Sequence, residues 1–546
     1  MTLWYNLFPC EEKRLRRLIM RKKRMKAVLL TGFFLVLCSL VIDLSFARSQ
    51  SPKYGGTFKV ALDAELPTLD TMMTSTDHPY DVGGHVFENL IQYITADGKL
   101  APELADSWTV SKDNLKFTFK LRQGVRFHNG SEMTSEDVLA SVDRWLQYGA
   151  RGGITRPYVD RLSNPDKYTF EIYLKEPYAP LLSLLGFGNG GPVILPGAIA
   201  RAAGREMVAP DNYIGTGPYK FGKWVQGEYV RLDRWDKYIP RKEPANGRAG
   251  KKIAYFDTLE FHIVTEVAAR VNGIKAGQYH YSFNLPTDLY QSLVKDPKIR
   301  IVKLEPTYWC GLNFNTKQGL CANQGLRQAI LAVLNMEEIL TAAFGDLGVV
   351  QGSIFPKSTP WYTNAGLNKY NQKNPKLGMQ LAQQAGYKGE KIRMLVGNLW
   401  PAYELSQVIA KQLKDAGFNV DFQVYDWASV VANRKEPDKW EMFTTYASAV
   451  YYDPGISYWL SPTYPGWWDT PEKRAILKDF VSTTDYKTRL KNWSGFQEIF
   501  YTQVPIIKLG DYYTLHMAAT EAYIKGLGTS THPIHTFIYA WNLWLP

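Results

Sequence analysis

The chain of 546 residues contains one long apolar run, Ala27 to Ile42, and it lies near the N-terminus behind Arg21-Lys22-Lys23-Arg24 and Lys26. Elsewhere apolar residues come in short stretches, which excludes a polytopic membrane protein. The run is 16 residues long, Asp43 ends it, and Ser45-Phe46-Ala47 places small residues at the −3 and −1 positions of a cleavage site. A basic region, a short apolar core and small residues form the pattern of a secretory signal peptide. Residues 1–47 are therefore read as an address removed on export to a bacterial periplasm. An uncleaved membrane anchor is the alternative, and Met20 and Met25 are alternative starts to Met1.

The leader also accounts for the charge. It holds nine basic and three acidic side chains, half of the formal +12. The remainder is too dilute to argue for nucleic acid. Four cysteines exclude a disulfide-dense scaffold. Cys10 and Cys38 leave with the leader. Cys310 and Cys321 remain in an oxidising compartment, so a short-loop disulfide worth about 2–3 kcal/mol is expected, with two buried thiols as the alternative.

Behind the leader the text alternates strands and amphipathic helices. Thr57 to Leu62, Leu115 to Leu121, Tyr168 to Leu174, Tyr229 to Leu232, Leu259 to Val264, Phe418 to Val424 and Val504 to Leu509 read as strands. Thr134-Ser135-Glu136-Asp137 and Thr470-Pro471-Glu472 read as helix starts. Thr265 is expected to cap a helix that stops at Gly277. This mixture predicts α/β lobes, each with its own sheet.

Motifs for catalysis are weak. Gly186-Phe187-Gly188-Asn189-Gly190-Gly191 fits G-x-G-x-x-G, but Pro192 and Pro196 follow, so no helix start is available for a pyrophosphate. A flexible glycine loop is the expectation. His532 and His535 flank Pro533 and lack a third ligand. No catalytic residue, metal or cofactor is assigned.

Four stretches carry a resemblance. Pro102-Glu103-Leu104-Ala105-Asp106-Ser107-Trp108 runs on through FTFKLRQGVRFHNGSEMTSEDV, Phe117 to Val138. Ile214-Gly215-Thr216-Gly217-Pro218-Tyr219-Lys220-Phe221, then Leu326-Arg327-Gln328-Ala329 with Asn335 to Leu340, and finally Asp453-Pro454 follow in order. Together they resemble the bacterial extracellular solute-binding proteins of family 5, receptors of peptide, nickel and opine ABC importers. The resemblance covers nearly all of residues 54–546.

The resemblance implies an α/β, two-lobe periplasmic binding protein fold of type II, with an extra subdomain in lobe 1 and two crossing strands as hinge. Thr307 to Thr316 and Val504 to Thr514 are the expected crossings. The expected division is 1–47 signal, 48–309 lobe 1, 310–509 lobe 2 and 510–546 returning to lobe 1. It also implies a monomer that captures a small-molecule ligand, a peptide in the first reading, for two permease subunits and ATPase subunits at the inner membrane. Opine, oligosaccharide or nickel-complex binding, and a secreted hydrolase, are the alternatives.

Dipeptide-binding members use an acid and an arginine as charged anchors, and those places hold Val450 and Tyr403 here. Aromatic residues are therefore the main candidates for pocket walls. They are Tyr308 and Trp309 on the first crossing, Trp400 and Tyr403 at a helix start, and Tyr446, Tyr451 and Tyr452 before Asp453. Asp453 is a further candidate, as are Asp77 and His78 in a polar loop after the first strand.

Overall fold

Alternating side chains dictate the first strand. In Thr57–Leu62, Phe58 and Val60 are fully buried, whereas Thr57 and Lys59 are only partly covered. The computed structural model describes residues 51–546 except 75, 94–98, 150, 449–452, 521–523 and 528–538. The leader, Tyr451, Tyr452, Val450, His532 and His535 lie outside the described residues.

Ten strands of the main sheet matter for the site: β1 (Thr57–Leu62), β2 (Tyr219–Val225), β3 (Tyr229–Arg234), β4 (Thr258–Ile263), β5 (Tyr281–Ser282), β6 (Ile299–Phe314), β7 (Ile392–Gly397), β8 (Val420–Tyr425), β9 (Met442–Ser448) and β10 (Ile506–Ala519). Their order across the sheet is β8-β7-β9-β6-β10-β5-β1-β4-β3-β2. The two long strands β6 and β10 are antiparallel and sit between two groups of shorter ones.

The register shows how one strand pair serves both halves. Ile299 to Leu304 pair with Thr514 to Ala519, beside β5. After a register shift between Leu304 and Tyr308, the rest of β6 pairs with Ile506 to Tyr512 on one side and with β9 on the other. The expected crossing segments fall largely within these two strands, but β6 begins earlier than expected, at Ile299, and β10 runs further, to Ala519.

A second sheet of four antiparallel strands holds Ala105–Val110, Lys116–Leu121, Thr169–Leu174 and Val159–Asp166 in that spatial order. In LKFTFKL, Phe117, Phe119 and Leu121 are buried, while Lys116, Thr118 and Lys120 are not. Helix Ser135–Tyr148 packs on this sheet, and its N-cap Thr134 donates its backbone N–H to Asp137 Oδ2 at 2.8 Å. Helix Pro471–Val481 begins as expected, with Thr470 accepting from the Lys473 N–H. The Thr265 cap is corrected: Glu266 is the N-cap of helix Val267–Lys275, and no side chain caps it.

The signature residues hold the framework. Lys252 is buried between Glu88, at 3.0 Å, and Glu103 of the Pro102–Trp108 stretch. Arg327 donates to the carbonyls of Cys321, Ala322, Gln503 and Val504.

Cys310 and Cys321 are both buried and both free, so the expected disulfide is not formed. Cys310 pairs with Tyr446 in the middle of β9, whereas the Cys321 N–H donates to the side chain of Glu441, just before that strand. Five residues of extended chain separate those two partners, about 17 Å. Disulfide-bonded Cα atoms lie within about 7 Å of one another.

Candidate functional site

Both groups of short strands aim the same end at one cleft. β1 is flanked by two parallel neighbours, β4 and β5, and β7 by β8 and β9, also parallel. In each case the chain continues first to one side of the strand and then to the other. Ligands bind at such switch points, outside the carboxyl ends of the strands. Asp63 follows β1, Thr265 follows β4, Phe283 to Leu285 follow β5, and Trp400 and Pro401 follow β7. All of them line a cavity of about 1090 Å³. Tyr308 on β6 and Tyr512 to Leu515 on β10 form its back.

The floor is polar. Helix His78–Gly83 starts after Asp77, and the His78 ring lies between two carboxylates. Its Nε2 is 2.8 Å from Asp63 Oδ1 and its Nδ1 is 2.9 Å from Asp81 Oδ2. Burial works against the imidazolium, but the two acids raise the His78 pKa to about 10. The acids diverge because their burial differs: Asp81 is fully covered, and Asp63 keeps about a quarter of its side chain exposed, 27%. Burial pushes Asp81 up to about 7. For Asp63 burial is outweighed by the His78 contact and by Asn284, which hold it down to about 2.

Asp77 is placed by two neighbours. Asn189 Nδ2 donates to its Oδ1 at 2.9 Å, and the Tyr308 hydroxyl donates to its Oδ2 at 3.2 Å. Burial pushes its pKa up despite those bonds. Asn189 comes from the glycine loop expected to be flexible. Instead all of Gly186 to Gly191 is buried. A Cβ at Gly188 would overlap the Tyr80 ring and the Arg248 guanidinium, which stack 3.6 Å apart. Trp145 Nε1 donates to the Gly190 carbonyl and Arg151 Nε to the Asn189 carbonyl. The glycines thus serve close packing that positions Asp77.

The walls are aromatic. Tyr308 lies over Tyr512 at 6.0 Å, and Tyr512 stacks on Phe344 at 4.3 Å. Trp400 meets the Phe344 ring edge-on at 5.5 Å, and its indole N–H donates to the Ala343 carbonyl at 2.9 Å. Tyr446 stacks on Trp427 at 6.1 Å. Trp400 and Tyr446 are 46% and 39% exposed, so their faces are open to a ligand.

Asp77, His78, Tyr308, Trp400 and Tyr446 therefore meet in one cleft, and three other described candidates do not. Trp309 is 2% exposed and packs edge-on against Trp459. Successive residues of a strand face opposite ways, so Trp309 points away once Tyr308 points in. Tyr403 packs against Phe422, and its neighbour Glu404 lines the cleft instead. Asp453 is held by its own turn and by Arg489: its Oδ1 accepts from the Gly455 N–H and from Arg489, each at 2.8 Å. Sequence reasoning missed Asp63, Asp81, Arg270, Phe344, Glu404 and Tyr512. Tyr512 was within reach, because it lies on a crossing segment already recognised and pairs with Tyr308.

The sequence profile of the bacterial extracellular solute-binding proteins, family 5 (middle region), matches residues 99–468. The chain belongs to family 5 of the bacterial extracellular solute-binding proteins. This family 5 chain is 28% identical to the "Probable peptide ABC transporter periplasmic-binding protein y4tO" of Sinorhizobium fredii, over 96% of its own length and 99% of the relative's. It is 25% identical to the oligopeptide-binding protein AppA of Bacillus subtilis, over 92% and 96%. Its fold matches that of the periplasmic binding protein DppA of Helicobacter pylori in complex with the peptide STSA, with a TM-score of 0.75 at 22% identity, covering 90% and 98% of the two chains. The family 5 protein thus has the two-lobe architecture of the periplasmic binding proteins.

Proposed function

We propose that this protein is the periplasmic substrate-binding component of an ABC importer and that its ligand is a peptide. The observation that carries the reading is the aromatic-walled cleft at the carboxyl ends of both strand groups. Its volume of about 1090 Å³ lies just above the roughly 300–1,000 Å³ usual for small-molecule pockets. The named relatives at 28% and 25% identity, a "Probable peptide ABC transporter periplasmic-binding protein" and an "Oligopeptide-binding protein", match this chain over nearly their full length.

In this reading residues 1–47 direct export and are removed. Residues 48–309 with 510–546 form lobe 1, and 310–509 form lobe 2. Ligand is held between them by Tyr308, Trp400 and Tyr446, with Asp77 and His78 at the floor. Because these residues come from both lobes, ligand favours the closed form to the extent that it binds that form better. The closed form is then recognised by permease subunits coupled to ATPases. The protein itself holds and releases its ligand without covalent chemistry.

Denaturing the purified protein and analysing released small molecules by mass spectrometry tests the ligand. Peptides are the expected result, and a sugar or an opine in stoichiometric amount would replace the peptide reading. Trp400→Ala removes an open indole face and is expected to weaken peptide binding about tenfold or more by calorimetry. Unchanged affinity would remove Trp400 from the site.

A further inference from the structure

The polar groups of the cleft floor are already engaged with one another. Asp63 meets His78 and accepts from Asn284, and Asp77 accepts from Asn189 and Tyr308. Arg270 donates to the carbonyls of Val264, Thr265 and Asn284. The large surface still open in the cleft is aromatic.

Trp400 and Tyr446 are half-exposed, and both line the cavity. They stand side by side on one wall. Trp400 follows β7, Tyr446 lies on β9, and these two strands are parallel neighbours. Each ring is held in a fixed plane by what lies behind it. The Trp400 N–H is tied to the Ala343 carbonyl, and its ring stands at 81° to Phe344 and 85° to Tyr512. Phe344 and Tyr512 lie nearly parallel to each other, 11° apart. Tyr446 covers one face with Trp427, at 17°, and leaves the other to the cleft.

Large apolar faces left uncovered inside a groove mark the place where a ligand covers them. Val267, Pro286 and Tyr290 line the same cavity from beyond β4 and β5, and each is only partly covered. A flat side chain entering the cleft thus meets ring faces on one wall and further apolar surface on the other. An aliphatic side chain gains there by the area it buries. An aromatic one gains in addition from offset or edge-on ring packing. Because the receiving rings are already fixed, little of that gain is lost to ordering them.

We infer that the cleft selects ligands bearing planar aromatic rings, so that the peptides it takes are rich in aromatic side chains, with Trp400 and Tyr446 as the residues that set this specificity. The peptide part of this inference rests on the function proposed above; the ring part rests on the cleft.

The test is calorimetry of the purified protein with the tetrapeptides Ala-Phe-Phe-Ala, Ala-Leu-Leu-Ala and Ala-Ala-Ala-Ala, and with indole-3-acetamide and cellobiose. The phenylalanine peptide is expected to bind about tenfold tighter than the leucine peptide, with the alanine peptide weakest. Trp400→Leu and Tyr446→Leu keep an apolar side chain and remove the ring. Each should cut the preference for phenylalanine over leucine about threefold or more, whereas Tyr446→Phe should keep it. Tyr446→Leu is a half-exposed strand position, so its fold can be relied on, with the thermal midpoint as the check. Leucine variants that weaken both peptides alike and leave the preference unchanged would remove these two residues from the specificity. Equal binding of the phenylalanine and leucine peptides to the wild type overturns the ring inference and leaves the peptide reading standing. Binding of indole-3-acetamide with no peptide bound does the reverse. Cellobiose bound alone assigns the open faces to a sugar and overturns both, as does binding of none of the five.

Discussion

His78 is the residue on which the cleft floor turns. As an imidazolium it is the only cation in hydrogen-bond contact with Asp63 and Asp81 among the described residues. Removing one partner from a mostly buried ionic group typically costs about 3–5 kcal/mol. His78→Asn is expected to fall in that range, read from chemical denaturation at neutral pH. The raised pKa fixes the direction with pH. The contribution is fully present below the unfolded value near 6.5 and is lost as pH rises through about 10. The gap between wild type and variant should therefore narrow at alkaline pH. A gap that widens there would reverse the assigned protonation state.

The two cysteines give a second prediction at this scale. Burial raises both thiol pKa values, so neither is a reactive thiolate at neutral pH. Protein from which the leader has been removed should show no thiol reactive to Ellman's reagent when native, and two when unfolded without reductant. Zero in the unfolded protein would restore the disulfide.

At the scale of the element, the sequence was most legible where one period and one cap act together. The strand Lys116–Leu121 and the helices starting at Ser135 and Pro471 lie where alternation, hydroxyl caps and Pro placed them. The site was less legible because its residues follow strand ends whose neighbours are far away in sequence. Asp63 and Asn284 are hydrogen-bonded partners 221 residues apart, and no local pattern pairs them. The glycine loop failed for another reason. Local sequence reports the freedom of glycine, but here the absence of a side chain lets Tyr80 and Arg248 pack closely. Gly188→Ala is expected to cost about 1–3 kcal/mol through overpacking. It should also weaken ligand binding, because Asn189 would move off Asp77. An unchanged thermal midpoint would mean that the loop is as loose as its composition implies. Asn374 offers a plainer test of helix Pro375–Gln384, whose Leu377 N–H it accepts at 3.0 Å. Asn374→Ala should cost about 1 kcal/mol, read as a lower urea midpoint at unchanged slope.

At the scale of the molecule, the halves touch at more than the crossing strands. The Ala179 N–H donates to the Val481 carbonyl at 2.7 Å, Thr484 Oγ1 donates to Asn114 Oδ1 at 3.1 Å, and Ser183 Oγ reaches Asp453 Oδ2 at 3.4 Å. These contacts join the small-sheet side to the helices around Val481, and Gln291 Nε2 meets Asp346 Oδ2 at 3.5 Å where both line the cleft. Opening must break these contacts, so ligand is expected to shift the population toward a more compact particle. Small-angle scattering should show a smaller radius of gyration with saturating ligand, and no change on binding would remove closure from the mechanism.

The shared pair of long strands has a consequence for any attempt to divide the protein. β10 gives its first half to β6 beside β9, and its second half to β6 beside β5. A fragment ending between the halves would carry away part of a ladder and leave a row of N–H and C=O groups without partners. Such an edge is a template for another chain. Either half expressed alone should self-associate by edge pairing, while the two halves produced together should recombine into a soluble particle.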